Sequence, residues 1–374
     1  MRDKSLSRRF TDLLTEGPLR IGVSFVVPVI AFLALRWSFI YMRNVDANKL
    51  FVGLVALLVG VFGVWTLFLI TDGLVSRLPD RIRERIRPFV FVGPAIVILF
   101  AYLVYPTFNT LYLSFRDARG QAWASGNSPF GLPLDNYLFI FSDPDLLITL
   151  RNNALWLVLV TGVVVSLGLV IAVMVDRIKF ESVAKSIIFL PMAISAVGAS
   201  VIWKFIYNFK APGTPQTGLL NAIWVALGHE PVGWFIERPW NNLFLIVIMI
   251  WLLTGFAMVV LSAAVKGVSS ELLEAARIDG ASEIRIFFSV IIPAIQGTII
   301  TITTTIIIMV LKVFDIVFVM TNGQFETQVI ANRMYSEMFT FGNFGRGSAL
   351  AVLLLIAVIP IMWSNIRGLR ASRA

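Results

Sequence analysis

Eight runs of about 20 apolar residues, separated by short polar stretches, dominate this 374-residue chain. At about 1.5 Å per residue, a helix of that length crosses the roughly 30 Å hydrocarbon core of a bilayer. Such a chain has few folds open to it, because every backbone amide and carbonyl in lipid must be satisfied internally, and only helices and closed barrels do that. The runs are Ile21–Ile40, Leu50–Thr71, Phe89–Phe108, Ala154–Val175, Ser186–Tyr207, Leu243–Val265, Ala294–Ile316 and Ser348–Ile366. The expected fold class is an all-α membrane protein with eight transmembrane helices. Composition agrees: 58% of residues are apolar and 14% charged, a balance that excludes an ordinary soluble domain.

The first run is read as an uncleaved helix rather than a signal peptide. It is longer than a signal core, Arg36 interrupts its end, and no small-x-small site follows before Arg43. An even number of spans puts both termini on one side, and 19 of the 31 Lys and Arg residues fall on that side. The positive-inside rule then makes both termini cytoplasmic. The net charge of +9 is therefore mostly topology. The cluster Arg81, Arg83, Arg85 and Arg87 reads as a connector anchored at lipid headgroups, not as a nucleic-acid site. The two larger external loops, Asn109–Asn153 and Asn208–Asn242, are surfaces rather than domains.

Chemistry is sparse. The absence of Cys excludes thiolate metal sites and Cys nucleophiles, and a single His, His229, excludes a multi-histidine metal centre. No G-x4-G-K-[ST] phosphate cradle occurs, so any ATPase must be another chain. Asp143 and Asp145, in Ser-Asp-Pro-Asp, have the composition of a turn and helix start more than that of a metal-binding pair in a membrane glycosyl transferase. Lys312 and Asp315 are three residues apart near the end of the seventh run. They read either as a local neutralising pair or as part of a translocation path. Pro191, Ala196, Gly198 and Ser200 can kink the fifth helix and let helices approach, but carry no site.

The informative segment lies between runs six and seven, at residues 266–293. Ser269 or Ser270 can cap a short helix through Leu272, Leu273, Ala275 and Ala276, and Gly280 can end it in the left-handed conformation. Ser282 and Glu283 can open a second helix before Pro293. Glu274 offers a charge, and the small residues offer close approach. On residues alone, docking of another protein and an interfacial helix resting Leu272, Ile278, Ile284 and Phe287 on lipid are equally open.

Glu274-Ala275-Ala276-x3-Gly280, followed after nine intervening residues by Val290-Ile291-Ile292-Pro293, resembles the EAA loop of binding-protein-dependent ABC importer permeases. The family's usual I-x-L-P ending carries Ile292 for Leu. Trp251-x3-Gly255-Phe256-x-Met258, Phe314-Asp315 and Thr321-Asn322-Gly323 resemble the sugar-importer, MalF-like branch, with Gln324-Phe325 where that branch has Gly-Pro. The resemblance covers roughly residues 89–374. It implies two extra N-terminal helices and the connector in residues 1–88, then a six-helix permease core. It also implies that Glu274, Ala275, Ala276, Ile278, Asp279 and Gly280 couple this chain to an ATPase. Two ATPase subunits holding ATP and Mg, a second and different permease subunit, and an extracytoplasmic solute-binding protein are the implied partners, in a prokaryotic cytoplasmic membrane. The implied solute is an α-glucoside or other oligosaccharide, with Trp251, Phe256, Lys312 and Asp315 as candidates along its path. A polyol or glycerol phosphate importer of the same design, an ion-coupled carrier and a membrane glycosyl transferase are the alternatives.

Overall fold

The computed structural model describes residues 33–43, 48–63, 65, 80–125, 131–176 and 178–371. The chain divides into two compact units, residues 1–108 and 109–374. In the first unit, residues 33–42 are helical and α1 (Lys49–Leu58) is capped by Asn48, whose side chain accepts from Leu50 N. Most of the first expected span and the end of the second lie outside the described residues. The described part of the second, Lys49–Val61, is an apolar helix too short to count as a span.

Among the described residues, five helices are long and apolar enough to cross a membrane, and a broken pair makes up to a sixth span. They correspond to the expected runs three to eight, with shifted limits. The basic connector is not a loop: α2 (Asp80–Leu99) begins before Arg81, since Arg and Glu are good helix formers. The spanning stretch then lies at Ala95–Ser114, where a π turn (Phe100–Val104) leads into α3 (Tyr105–Ser114).

The second unit is built on two long helices. After α4 (Asp135–Ser142), α5 (Pro144–Val175) begins ten residues before the apolar run does. Asp143 caps it by accepting from Leu146 N at 3.0 Å, and Pro144 occupies its first turn. α9 (Asn241–Lys266) packs along α5 in the most extensive helix pairing of the chain. Their crossing is set by glycine: a Cβ on Gly168 would sit 2.7 Å from Ala257 Cβ. Trp156, Val164, Leu245, Ala257, Met258 and Leu261 are buried there.

The fifth span is not one kinked helix. α6 (Glu181–Phe189) runs into a 3-10 turn opened by Pro191, and α7 (Ala196–Ile206) leaves at 99°. The corner is Ile194 and Ser195, both extended, with Ser195 Oγ accepting from Gly198 N at 3.1 Å. The expected kink residues thus flank a sharp break. A Cβ on Gly255 would collide with the backbone of Ile188 and Phe189, so α6 lies directly against α9.

After α8 (Leu219–Ala226), which precedes α9, come α10 (Ser270–Ile278), α11 (Glu283–Ile286), α12 (Gln296–Leu311), α13 (Asp315–Met320), α14 (Ile330–Tyr335) and α15 (Phe344–Ala371). α12 packs on α5 and α15, and α13 on α7. Large apolar side chains left exposed, such as Val158, Met174 and Phe205, suit a lipid solvent.

Buried asparagines clamp the turn between α13 and α14. Asn152 Nδ2 donates to the carbonyls of Glu326 and Gln328 at 2.7 and 2.9 Å, Asn241 Nδ2 to that of Phe325 at 2.6 Å, and Asn153 Oδ1 accepts from Ile330 N at 2.7 Å. The turn needs holding, because Asn322, Phe325 and Glu326 all take positive φ (51°, 60° and 57°) without being glycine. Asn152→Ala should leave the part-buried Gln328 carbonyl without this donor and that of Glu326 with only the longer bond from Asn242 Nδ2 at 3.3 Å, and cost about 1–3 kcal/mol. Thermal unfolding of the purified protein in detergent checks this, and an unchanged midpoint would refute the clamp.

Candidate functional site

The segment between α9 and α12 folds as helix, glycine corner, helix. α10 ends at a Schellman motif: Ala281 N donates to Ala276 O and Gly280 N to Arg277 O, each at 3.0 Å, with Gly280 at φ +77°. Ser282 then caps α11 by accepting from Arg285 N at 3.3 Å, with Glu283 in the first turn. Arg277 and Glu283 bridge the corner, Nε to Oε1 at 2.9 Å. The expected helix end at Gly280 and restart at Ser282 are therefore present. The expected cap at the start of α10 is not, because neither Ser269 nor Ser270 makes a side-chain cap bond there.

The loop is seated by some residues and presents others. Leu273, Ala276 and Ala281 pack against the core cluster, and Ile286 is buried. Glu274, Ala275, Ile278, Asp279 and Gly280 are exposed, Ile278 at 86%. One of the small residues expected to face a partner, Ala276, thus sits half-buried against its own chain, since it shares an (i, i+3) face with Leu273. A Cβ on Gly280 would meet nothing within 4 Å, so the corner stands clear. The two-helix loop is a protruding surface with exposed carboxylates at Glu271, Glu274, Asp279 and Glu283, small side chains and an exposed isoleucine.

The other candidates divide. Trp251 and Phe256 on α9 are half-buried against the core, and Trp251 meets Trp203 edge-on at 5.8 Å. Lys312 and Asp315 do not neutralise each other: no ion pair joins them, because α12 stops at Leu311 and Asp315 starts α13, so the shared helix face is lost. Both are exposed, and Lys312 lines an apolar groove of about 530 Å³ with Phe314, Met334, Tyr335 and Leu354. Asp143 is committed to capping α5 and Asp145 lies in its first turn. His229 stacks on Trp224, ring centres 4.2 Å apart. Among the described residues no three His, Cys, Asp or Glu side chains gather as metal ligands would.

The sequence profile of the family described as "binding-protein-dependent transport system inner membrane component" matches residues 138–366. The chain belongs to that family. It is 56% identical over 282 residues, 75% of this chain and 98% of the relative, to an osmoprotective compounds uptake permease protein, GgtC, of a Synechocystis species. It is 50% identical over 297 residues, 79% of this chain and 86% of the relative, to the alpha-glucoside transport system permease protein AglF of Rhizobium meliloti. In structure it resembles a bacterial ABC transporter involved in the import of the acidic polysaccharide alginate, with a TM-score of 0.65 over 78% of this chain and 99% of that one, at 19% identity. The fold is thus that of an ABC importer permease, and this permease is a multi-pass inner-membrane transport subunit rather than an enzyme.

Sequence reasoning missed Gly255 as a contact between α6 and α9, though it quoted the residue within a motif. A glycine amid bulky apolar neighbours was the available signal. Because Asn caps as well as Asp does, Asp143→Asn with Asp145→Asn should leave uptake near the wild-type rate, whereas Asp143→Ala should cost about 1 kcal/mol of stability. Parallel uptake and thermal-unfolding measurements check both. Abolished uptake in the double Asn variant would restore a catalytic reading.

Proposed function

We propose that this permease forms half of the translocation pathway of an ATP-driven importer of α-glucosides, and that α10 and the Gly280 corner dock into a partner ATPase. The observation that supports it best is the anchored but protruding loop, with Leu273 and Ala276 turned inward and Glu274, Ala275, Ile278 and Asp279 outward. A loop seated in the core moves the core when it is moved. Glu274 makes the polar contact, Ala275 allows close packing, and Gly280 sets the angle between the helices. ATP and Mg belong to the ATPase subunits. Residues 1–88 supply two extra helices, residues 89–374 the six-helix core, and the basic bias of alternate loops makes both termini and the 266–293 loop cytoplasmic.

The α-glucoside assignment rests on the 50% identical relative named for that transport. A pyranose packs its C–H face on aromatic rings, and Trp251 and Phe256 supply rings in the middle of α9. Lys312 and Asp315 offer polar partners beyond the end of α12. The external partner is a solute-binding protein, as the family's description implies, and a second, different permease subunit completes the pathway.

Glu274→Lys and Gly280→Pro should both leave membrane levels unchanged and abolish uptake. Pro fixes φ near −65°, about 140° from the conformation at the corner. The assay is uptake and ATPase stimulation by the reconstituted complex with maltose, sucrose, trehalose, polyols and glycerol phosphate in parallel. Wild-type uptake by both variants at normal expression would overturn the docking reading, and stimulation by glycerol phosphate alone would overturn the sugar reading.

A further inference from the structure

At the root of the coupling loop three helices are tied by one neutral polar cluster. Asp176 follows the last residue of α5, Glu181 and Lys185 lie on α6, and Ser262 and Lys266 end α9. Lys185 Nζ donates to Asp176 Oδ1 at 2.6 Å, to Glu181 Oε1 at 2.5 Å and to Ser262 Oγ. Ser262 Oγ donates to Asp176 Oδ1 at 2.7 Å, and Lys266 Nζ to Glu181 Oε1. Two cations balance two anions. The side chains of Lys185, Asp176 and Glu181 are only 19%, 13% and 26% exposed, unlike the open Arg277–Glu283 bridge. Partly buried pairs hold geometry where open pairs do not, because losing one member strands a charge away from water.

The position of the cluster gives it consequence. Lys266 is the last residue of α9, and α10 starts four residues later at Ser270. α6 is held to α9 by Glu181 to Lys266, by Lys185 to Ser262 and, further along, by the backbone of Ile188 against Gly255. Just beyond that last contact come Ile194 and Ser195, where the span turns by 99°. On the far side, α7 packs on α13, and Lys204 Nζ donates to Val319 O at 2.9 Å.

We propose that the Lys185-centred cluster makes α6, the end of α9 and the coupling loop one rigid body, so that displacement of the loop is delivered to the Ile194–Ser195 corner and from there to α7 and α13. Lys185, Glu181 and Lys266 are positioning residues: they touch neither solute nor ATPase, and act through the loop. Hinges absorb motion at a few residues between rigid pieces, and two adjacent extended residues between helices are such a place. The proposal rests on the docking role of Glu274–Gly280.

The chain contains no Cys, so it adds no background label of its own. In the full importer complex, spin labels at Val183→Cys and Leu272→Cys, both exposed, report α6 against the loop. Labels at Val183→Cys and Val201→Cys, also exposed, report across the corner. Between nucleotide-free and ATP–vanadate-trapped states the first distance should stay constant and the second should change. A shift in the first, or constancy in the second, would overturn the proposal. Lys185→Met should broaden the first distance and cut binding-protein-stimulated ATPase activity by about tenfold, in the range of allosteric coupling terms. Lys266→Met, which removes one exposed cation, should do the same more mildly should Lys185→Met fold poorly. Co-purifying ATPase should be unchanged in both. Its loss from these variants alone would mean failed docking and overturn the proposal, whereas its absence from the wild-type complex would sink the docking role itself.

Discussion

The crossing of α5 and α9 carries the rest of the second unit. Lipid tails are as apolar as leucine, so burying a leucine between two membrane helices gains little over leaving it in lipid. What does gain is close approach and internal polar bonding. Gly168 against Ala257 allows the first, and Trp156, whose Nε1 donates to Asn242 Oδ1 at 3.3 Å, joins the two helices by the second. α6 and α12 are laid against this pair, with Gly255 giving α6 its backbone contact.

α9 is also polar at both ends and almost nowhere between. At one end Asn241 and Asn242 grip the left-handed turn around Phe325 and Glu326; at the other Ser262 and Lys266 grip α6. A helix of 26 residues is about 39 Å long, so these fixtures sit on opposite sides of a bilayer core. α9 behaves as a strut with a clamp at each end. The 321–329 turn and the start of the 266–293 loop are thereby both tied to α9.

Much of this was legible in the sequence, for reasons that are local. Gly280 as a left-handed helix end, Ser282 as a cap and Asp143 as the start of α5 follow from backbone demands that a few neighbouring residues express. The described apolar spans follow from hydropathy. What escaped is non-local. The asparagine pairs at 152–153 and 241–242 lie where apolar runs begin, and hydropathy reads them as boundaries although Asn152, Asn153, Asn241 and Asn242 are all buried. Lys185 and Lys266 enter the sequence reading only as charges that orient the chain, yet with Asp176 and Glu181 they form one cluster. The Lys312–Asp315 pair failed because the periodicity argument assumed a continuous helix, and the chain breaks at residues 312–314. The inward turn of Ala276 depends on which side of α10 meets the core, which the loop's own sequence does not encode.

Three of the breaks adjoin a proline, while the π turns at Val59–Gly63 and Ser336–Thr340 do not. π turns at Phe100–Val104 and Phe287–Ile291 each precede a proline, Pro106 and Pro293, and the 3-10 turn at Leu190–Ala193 contains Pro191. A proline takes one amide out of the helical ladder and crowds the carbonyl four residues back, and a wider or tighter turn beside it absorbs the misfit. Only at Pro191 does the span also bend sharply, and the difference lies downstream. Pro106 and Pro293 are followed by further helical residues, whereas Pro191 is followed by Ile194 and Ser195 in extended conformation, with Ser195 capping a new helix. Proline therefore loosens the helix, and the serine cap re-aims it. A corner made in this way has defined ends on both sides, and can change angle without unravelling either α6 or α7.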